Sequence, residues 1–272
     1  MPHHSINLGN SGYGRNILEY NEIRHTCLET YDNGSINCWM DDPHGHIEEG
    51  AERSGHIIRY NLIADTYGVV VDDECNLITG ETTYTKGIYM DGFASNCFVY
   101  GNIIVRGGWE GGIRLNGGKN NIIENNIIVD GKRQLGTGSG WSEYAPQMAN
   151  SLRGNRYCRN IFYRSEVDGI NMYNLKCWVD DRVLAECDYN LFFNADGDEY
   201  TVRLVTDPDG EVIPLSLSEW QGMGYDTHSV TADPLFVDLE HGDYRLKPES
   251  PALALGFQQI DVSRIGPRDN DS

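Results

Sequence analysis

One phrase recurs along the chain and limits what it can fold into. It reads NILEYNEI at 16–23, HIIRYNLI at 56–63, CFVYGNII at 97–104 and NIIENNII at 121–128, with looser copies in YCRNIFY (157–163) and CDYNLFF (187–193). The matching asparagines, Asn21, Asn61, Asn102, Asn126, Asn160 and Asn190, stand 40, 41, 24, 34 and 30 residues apart. The shortest gap is about one repeat unit and the longer ones read as that unit plus loops, the spacing of a solenoid whose repeats bury their apolar faces against one another. The phrases are β-branched and lack the three- and four-residue apolar spacing of a helix, so each unit is strand-rich. A second short strand follows a glycine in GSINCW (34–39), GIYMDG (87–92), GGIRLNG (111–117) and DGINMYN (168–174). Strands stacked in parallel, coil over coil, make a parallel β-helix. Asparagine is normally depleted from strands, so its recurrence needs a role. At the bend between two strands it can point inward and hydrogen-bond the turns of neighbouring coils, which predicts a ladder through Asn61, Asn102 and Asn126.

Aligning the second strands on Ile36, Ile88, Ile113 and Ile170 tests this reading. With a side-chain period of two, the next inward positions are Cys38, Met90, Leu115 and Met172, all apolar. The outward positions are Asn37 and Trp39, Tyr89 and Asp91, Arg114 and Asn116, and Asn171 and Tyr173. That outward face mixes flat rings with amides, a carboxylate and a guanidinium, the surface a sugar needs. Solvated strand faces more often carry Lys, Glu and Thr. The coils are expected to fill residues 1–199. Residues 200–272 leave the pattern: PLSLSEWQGMGY suggests a short helix capped by Ser216 or Ser218, and PLFVDLEHGDYRL two strands around a turn at Gly242. This tail is expected to cap the open end of the solenoid, with Trp220 and Phe236 in its core.

Composition narrows the function. The 272 residues carry 41 acidic and 21 basic side chains, a formal net charge of −20. That argues against nucleic-acid binding, which requires a basic face, and mildly against a polyuronate substrate unless a cation or local arginine neutralises it. No apolar run is long enough to span a membrane. Seven cysteines without a CxxC pair predict buried free thiols. The opening MPHHSINLGNSG has neither the basic nor the apolar region of a signal peptide and reads as mid-domain sequence, so a trimmed chain is expected. A monomer is expected.

These phrases resemble a known family. Over nearly its whole length the chain is similar to the right-handed parallel β-helix of the pectin-lyase-like superfamily. LEYNEIRHTCLETYDNGSI, IIRYNLIAD and GIYMDGFASNCFVYGNIIVRGG, with the tail SEWQGMGYDTHSVTADPLFVDLEHGDYRLKPESPALALGF, resemble glycoside hydrolase family 141-like proteins. The resemblance implies an all-β, single-stranded right-handed β-helix, a cell-wall glycan as substrate and an extracellular or periplasmic location. It also implies a catalytic aspartate in each of two phrases, which carry over to Asp32 and Asp91. Glu29 and Glu110 lie near the same edge, and Glu29, Asn37, Trp39, His46, Tyr89, Glu110, Arg114, Asn116 and Tyr173 are the candidate substrate contacts. Residues 67–86, YGVVVDDECNLITGETTYTK, look inserted; they are either a loop or an extra coil offering Asp72 or Asp73. Stacking one coil apart would bring the two carboxylates near 5 Å, the retaining spacing, and two coils apart near 10 Å.

Other motifs are weaker. Asp42, His44, His46 and Glu48 in DDPHGHIEEG could ligate a metal by type, but nothing rigid fixes them. DPDGE at 207–211 lacks the twelfth-position glutamate of a calcium loop. No cofactor is expected; Ca²⁺ enters only as a neutralising ion for a uronate. Two alternatives to hydrolysis stand: a lyase or epimerase acting on a uronate glycan, needing a Lys, Arg, His or Tyr base, and a non-catalytic glycan-binding or structural solenoid.

Overall fold

The computed structural model describes residues 3–9, 14–40, 54–78, 83–108, 111–131, 133–138, 150–165, 171–176, 178, 180–197, 199–206 and 212–267. His46 and the rest of residues 41–50, Glu110, Ile170 and residues 207–211 lie outside them.

The chain is a parallel β-helix of three sheets. The first has eight strands in the order Ile6–Asn7, Asn33–Met40, Thr85–Gly92, Ile113–Leu115, Arg133–Thr137, Asn171–Lys176, Thr201–Val205 and Val212–Ser216. The second has six strands and the third seven, each stacked in the same coil order. Pairing between coils is parallel throughout, except that Val212–Ser216 turns back antiparallel onto Thr201–Val205 and closes the edge of the first sheet.

Side chains repeat in register because the coils do. Ile58, Val99, Ile123, Tyr157 and Cys187 form one inward stack, and Ile23, Ile63, Ile104, Ile128, Phe162 and Phe192 another. Aliphatics give way to rings toward the C-terminal coils, where Phe162 and Phe192 stack with centroids 5.3 Å apart.

The asparagine ladder is present. Asn61, Asn102, Asn126, Asn160 and Asn190 have almost no exposed surface. Each side-chain oxygen accepts from the backbone N–H and the amide of the preceding rung: Asn61 Nδ2 donates to Asn102 Oδ1 at 2.9 Å, Asn102 to Asn126 at 3.0 Å, Asn126 to Asn160 at 3.0 Å. The residue before each rung, Tyr20, Tyr60, Gly101, Asn125, Arg159 or Tyr189, is left-handed, with φ between 55° and 62°. That conformation makes the corner tight enough to aim the next side chain inward, and the rung's hydrogen bonds offset its strain. The ladder ends on a carboxylate: Asn190 Nδ2 donates to buried Asp226 at 2.8 Å, as do Ser229 Oγ at 2.6 Å and Trp220 Nε1 at 2.8 Å.

The tail does two things where one was expected. A helix, α1 (Leu217–Gly222), has Ser216 as N-cap in a capping box with Glu219 and seats Trp220 at the C-terminal end of the coil core. The rest is a strap along the third sheet rather than part of the end cap. It covers that sheet's outward apolar residues Ile103, Ile127, Ile161 and Leu191 with Phe236, Leu246, Phe257 and Ile260. It ends at the first coil, where Gly266 N–H bonds Tyr20 O and Arg264 lies over the Tyr20 ring at 4.0 Å. The strands Phe236–Asp238 and Asp243–Leu246 flank Gly242, as the sequence predicts.

Candidate active site

The outward face of the first sheet holds the polar cluster. The Ile36, Ile88, Ile113 alignment is correct, so Asn37, Tyr89 and Arg114 share one outward row and Trp39, Asp91 and Asn116 the next. Beyond Ile113 the expected alignment fails. The row continues through Leu135, in a strand that the phrase search passes over, and then Tyr173. Tyr173 stands in register with inward Leu135, so its ring faces the core, where it packs on Phe162, Phe192 and Trp220. Tyr173 is a core residue, and its place on the outward face is taken by Asn174, followed by Arg203.

The described part of the inserted segment before Thr85 is not a coil. Val70–Val71 and Leu77–Ile78 pair antiparallel as a hairpin, and Asp72 closes its turn by accepting from the backbone N–H groups of Glu74 and Asn76. Asn33–Met40 and Thr85–Gly92 are therefore direct neighbours. Asp32 and Asp91 nonetheless do not stack, because Asp91 pairs with Trp39, seven residues beyond Asp32. They stand at opposite ends of adjoining strands, and the coil spacing does not set their separation.

Asp32 takes a left-handed turn conformation, φ 56°, which aspartate tolerates, and its N–H bonds Tyr84 O at 2.9 Å. Half of its side chain is exposed, and the other half meets the Lys86 ammonium. Lys86 is the residue the sequence reading missed. It has no exposed surface, lies 4.0 Å from the Tyr84 ring centroid and 4.1 Å from that of Tyr89, and donates to Asp32 and to Tyr84 O. Burial pushes its ammonium down to about 8, against the opposing pull of Asp32. Tyr89 is buried and pushed well up by burial and then by Asp91 and Asp32. Both carboxylates thus bear on Lys86 and Tyr89 from opposite ends.

Asp91 Oδ1 accepts from Asn116 Nδ2 and from Gly92 N–H, each at 2.8 Å, which fixes the carboxylate's orientation. Trp39, about half exposed, lies beside it on the preceding coil. At the Asp32 end, exposed Tyr31 stacks on Tyr84 with centroids 5.7 Å apart. Two flat rings therefore flank the carboxylates at the two ends. Arg114 is held along the solenoid axis: its Nη2 donates to Gly138 O, and it lies across Gly136, where an added Cβ would come within 2.9 Å of Nη1. Asn37 is buried in the same row, while Glu29 is exposed in the turn before the strand.

Farther along the axis the face is cationic. Arg203 Nη1 donates to Asn174 Oδ1 at 3.0 Å, and Lys176 Nζ lies 5.8 Å from the Tyr84 centroid. Burial and the neighbouring Arg203 push Arg133 down to about 10. A signal for Lys86 was present in KGIYMDG, one residue before the glycine at which the strand count began.

Among known proteins, a family described as right handed beta helix region matches residues 47–205, more than half of the chain. No curated protein and no solved structure matches it. Three parallel sheets wound coil over coil, the inward asparagine ladder and that match agree, and the chain belongs to the right-handed β-helix family.

Proposed function

We propose that this β-helix protein is a glycoside hydrolase acting on a cell-wall polysaccharide or oligosaccharide, with Asp32 and Asp91 as its carboxylate pair. The family match fits carbohydrate-active proteins of the pectin-lyase type. The observation that carries the finer reading is the pair itself: two aspartates on one outward face, on adjoining coils, both bearing on Lys86 and Tyr89 between them. Acid and base or nucleophile on one glycosidic bond stand roughly 5–9.5 Å apart, so the reading requires the two side chains to lean toward each other along the face, over Lys86 and Tyr89; one then protonates the departing glycosidic oxygen and the other activates water or attacks the anomeric carbon. Trp39 and Tyr31 stack the flanking sugar rings. Such an enzyme would work outside the cytoplasm.

A second reading is elimination at a uronate, favoured by an amine at about 8 beside Tyr84 and Tyr89. Hydrolysis comes first because Asp32 occupies that amine and no surface of Lys86 reaches solvent.

The test is release of reducing ends from a glycan panel, followed together with the ultraviolet absorbance of unsaturated products. Hydrolysis raises the first alone and elimination raises both. Binding without either would leave a non-catalytic glycan module.

A further inference from the structure

The outward faces of the solenoid are unequally covered. The third sheet presents Ile103, Ile127, Ile161 and Leu191 to the tail, which buries them. The second sheet carries a comparable row that stays open. In its strands Ile17–Glu19, Ile57–Arg59, Phe98–Tyr100 and Ile122–Glu124, the residues Ile17, Ile57, Phe98 and Ile122 stand in register on the outward side. Ile17 is 55% exposed and the other three are half-buried. Farther along, the same row becomes charged, with Arg156 bonded to Glu186 at 2.8 Å, so the apolar stretch is confined to four coils. A contiguous apolar row at a surface marks a contact site.

The two flanks of the row differ in charge and shape. The following flank, two residues on, holds Glu19, Arg59, Tyr100 and Glu124, with Arg59 donating to Glu19 at 2.8 Å. The preceding flank holds the left-handed corner residues Arg15, Gly55, Asn96 and Asn120, with no acid among them. Arg15 is exposed and has no carboxylate against it among the described residues. Gly55 has no side chain, and the surface sinks there into a hollow of about 590 Å³ lined by Arg15, Ile17, Gly55, Ile57 and Asn96. These flanks complement each other in a second copy. Two such faces can pack with their two-fold along the solenoid axis or along the strands. Along the axis, Ile57 meets Ile57, Glu19 faces Arg15, Tyr100 faces Asn96 and Glu124 faces Asn120, while the Glu19–Arg59 pair enters the hollow at Gly55. Along the strands, with all four coils overlapped, the coil order reverses: Glu19 meets Glu124 and Ile57 meets Phe98. Opposed like charges are costly across an interface, so the axial two-fold is favoured. Four coils span about 14 Å at roughly 4.8 Å per coil, which puts the contact at the small end of specific interfaces and makes it weak and reversible.

We infer that the outward face of the second sheet is the contact of a two-fold dimer of this chain, the two solenoids side by side with parallel axes, in place of the monomer the sequence suggests. Ile17, Ile57, Phe98 and Ile122 form its centre, and Arg15 meets Glu19 of the other copy at its edge. The contact uses none of the first sheet's outward residues and rests on neither reading of the reaction.

Sedimentation equilibrium of the full chain from about 1 to about 500 µM, the range a contact of this size calls for, tests it. The average mass should climb from 30.6 kDa toward twice that value. Ile57→Glu, which opposes two carboxylates at the centre, should weaken dimerisation roughly tenfold or more at an unchanged melting midpoint. Should it fail to fold, Ile17→Glu, at the more exposed position, serves instead. Arg15→Glu should weaken dimerisation several-fold, and Arg15→Glu/Glu19→Arg should restore it, as a general loss of stability would not. Orientation is read with a short bismaleimide on the Ile57→Cys chain, with exposed Cys75 replaced by Ser and the Cys75→Ser parent as background. Crosslinking of Ile57→Cys to itself supports the axial two-fold; crosslinking only when it is mixed with a Phe98→Cys chain overturns it. A chain that stays monomeric over the whole range, whatever else that face binds, overturns the assignment, as does a dimer that both the central glutamate and Arg15→Glu leave untouched.

Discussion

The Lys86 ammonium and the Asp32 carboxylate are bonded across adjoining coils, the lysine wholly buried and the aspartate half in solvent. The pair therefore ties a reactive surface group to the packing beneath it. Lys86 also lies against both Tyr84 and Tyr89, so a change at Asp32 reaches the floor of the site.

Asp91→Asn should lower kcat by a large factor, on the order of a hundredfold or more, with little change in KM, because the amide keeps the shape but cannot transfer a proton or attack. Asp32→Asn should lose activity similarly and also melt earlier, since the buried Lys86 loses the anion that offsets its burial. The double variant should be scarcely slower than either single. Asp72→Asn and Asp73→Asn, in the hairpin, should turn over as wild type does. If those two are the slow ones, the pair is misassigned.

The burial of Lys86 has a pH signature. The native state releases its proton near pH 8 and the unfolded chain near 10.5. Between those values the unfolded chain binds more protons, so this group's contribution to stability rises with pH across the window. Melting midpoints of wild type minus Lys86→Met should therefore increase from about pH 8 to about 10.5. A flat or falling difference would mean the lysine is not held in a desolvated site.

Asn126→Leu should destabilise the fold by about 1–3 kcal/mol, because the backbone carbonyls of Val99 and Glu124 lose their donor. Denaturant titration reads this directly. An unchanged midpoint would remove the ladder from the account of stability.

Two tryptophans separate site from core. Trp39→Ala, on the exposed face, should weaken glycan binding by several-fold at an unaltered melting temperature. Trp220→Ala, with its indole buried against Tyr173, Trp178 and Tyr225, should cost about 3–5 kcal/mol.

Gly136→Val should displace Arg114, whose Cδ would lie 3.1 Å from the new Cβ and whose Nη1 would be closer still. Activity or glycan binding should fall several-fold, and Gly136→Ala should fall between. Wild-type behaviour in both would show that the seating of Arg114 is unimportant.

The β-helix and its ladder were legible in the residues because each coil repeats the same local problem. A left-handed residue followed by Asn makes the corner, and the flanking aliphatics can only face the coil beside them, so the phrase carries both the turn and the register of Ile36, Ile88 and Ile113. The outward places of Trp39, Tyr89, Asp91, Arg114 and Asn116 follow from that register alone. Where a coil departs from the phrase, the sequence no longer decides. RQLGT at 133–137 has neither its asparagine nor its paired aliphatics, and it is this strand's inward Leu135 that Tyr173 pairs with, which places the ring in the core. Only the tertiary structure buries Lys86, because the tyrosines that enclose it and the aspartate that meets it are brought together by stacking coils across the inserted hairpin. It alone also gathers the cations of four strands onto one face and lays the tail along the third sheet back to Tyr20. Local patterns encode the coil; which side chains meet depends on which coils become neighbours, and that is a long-range property of the packing.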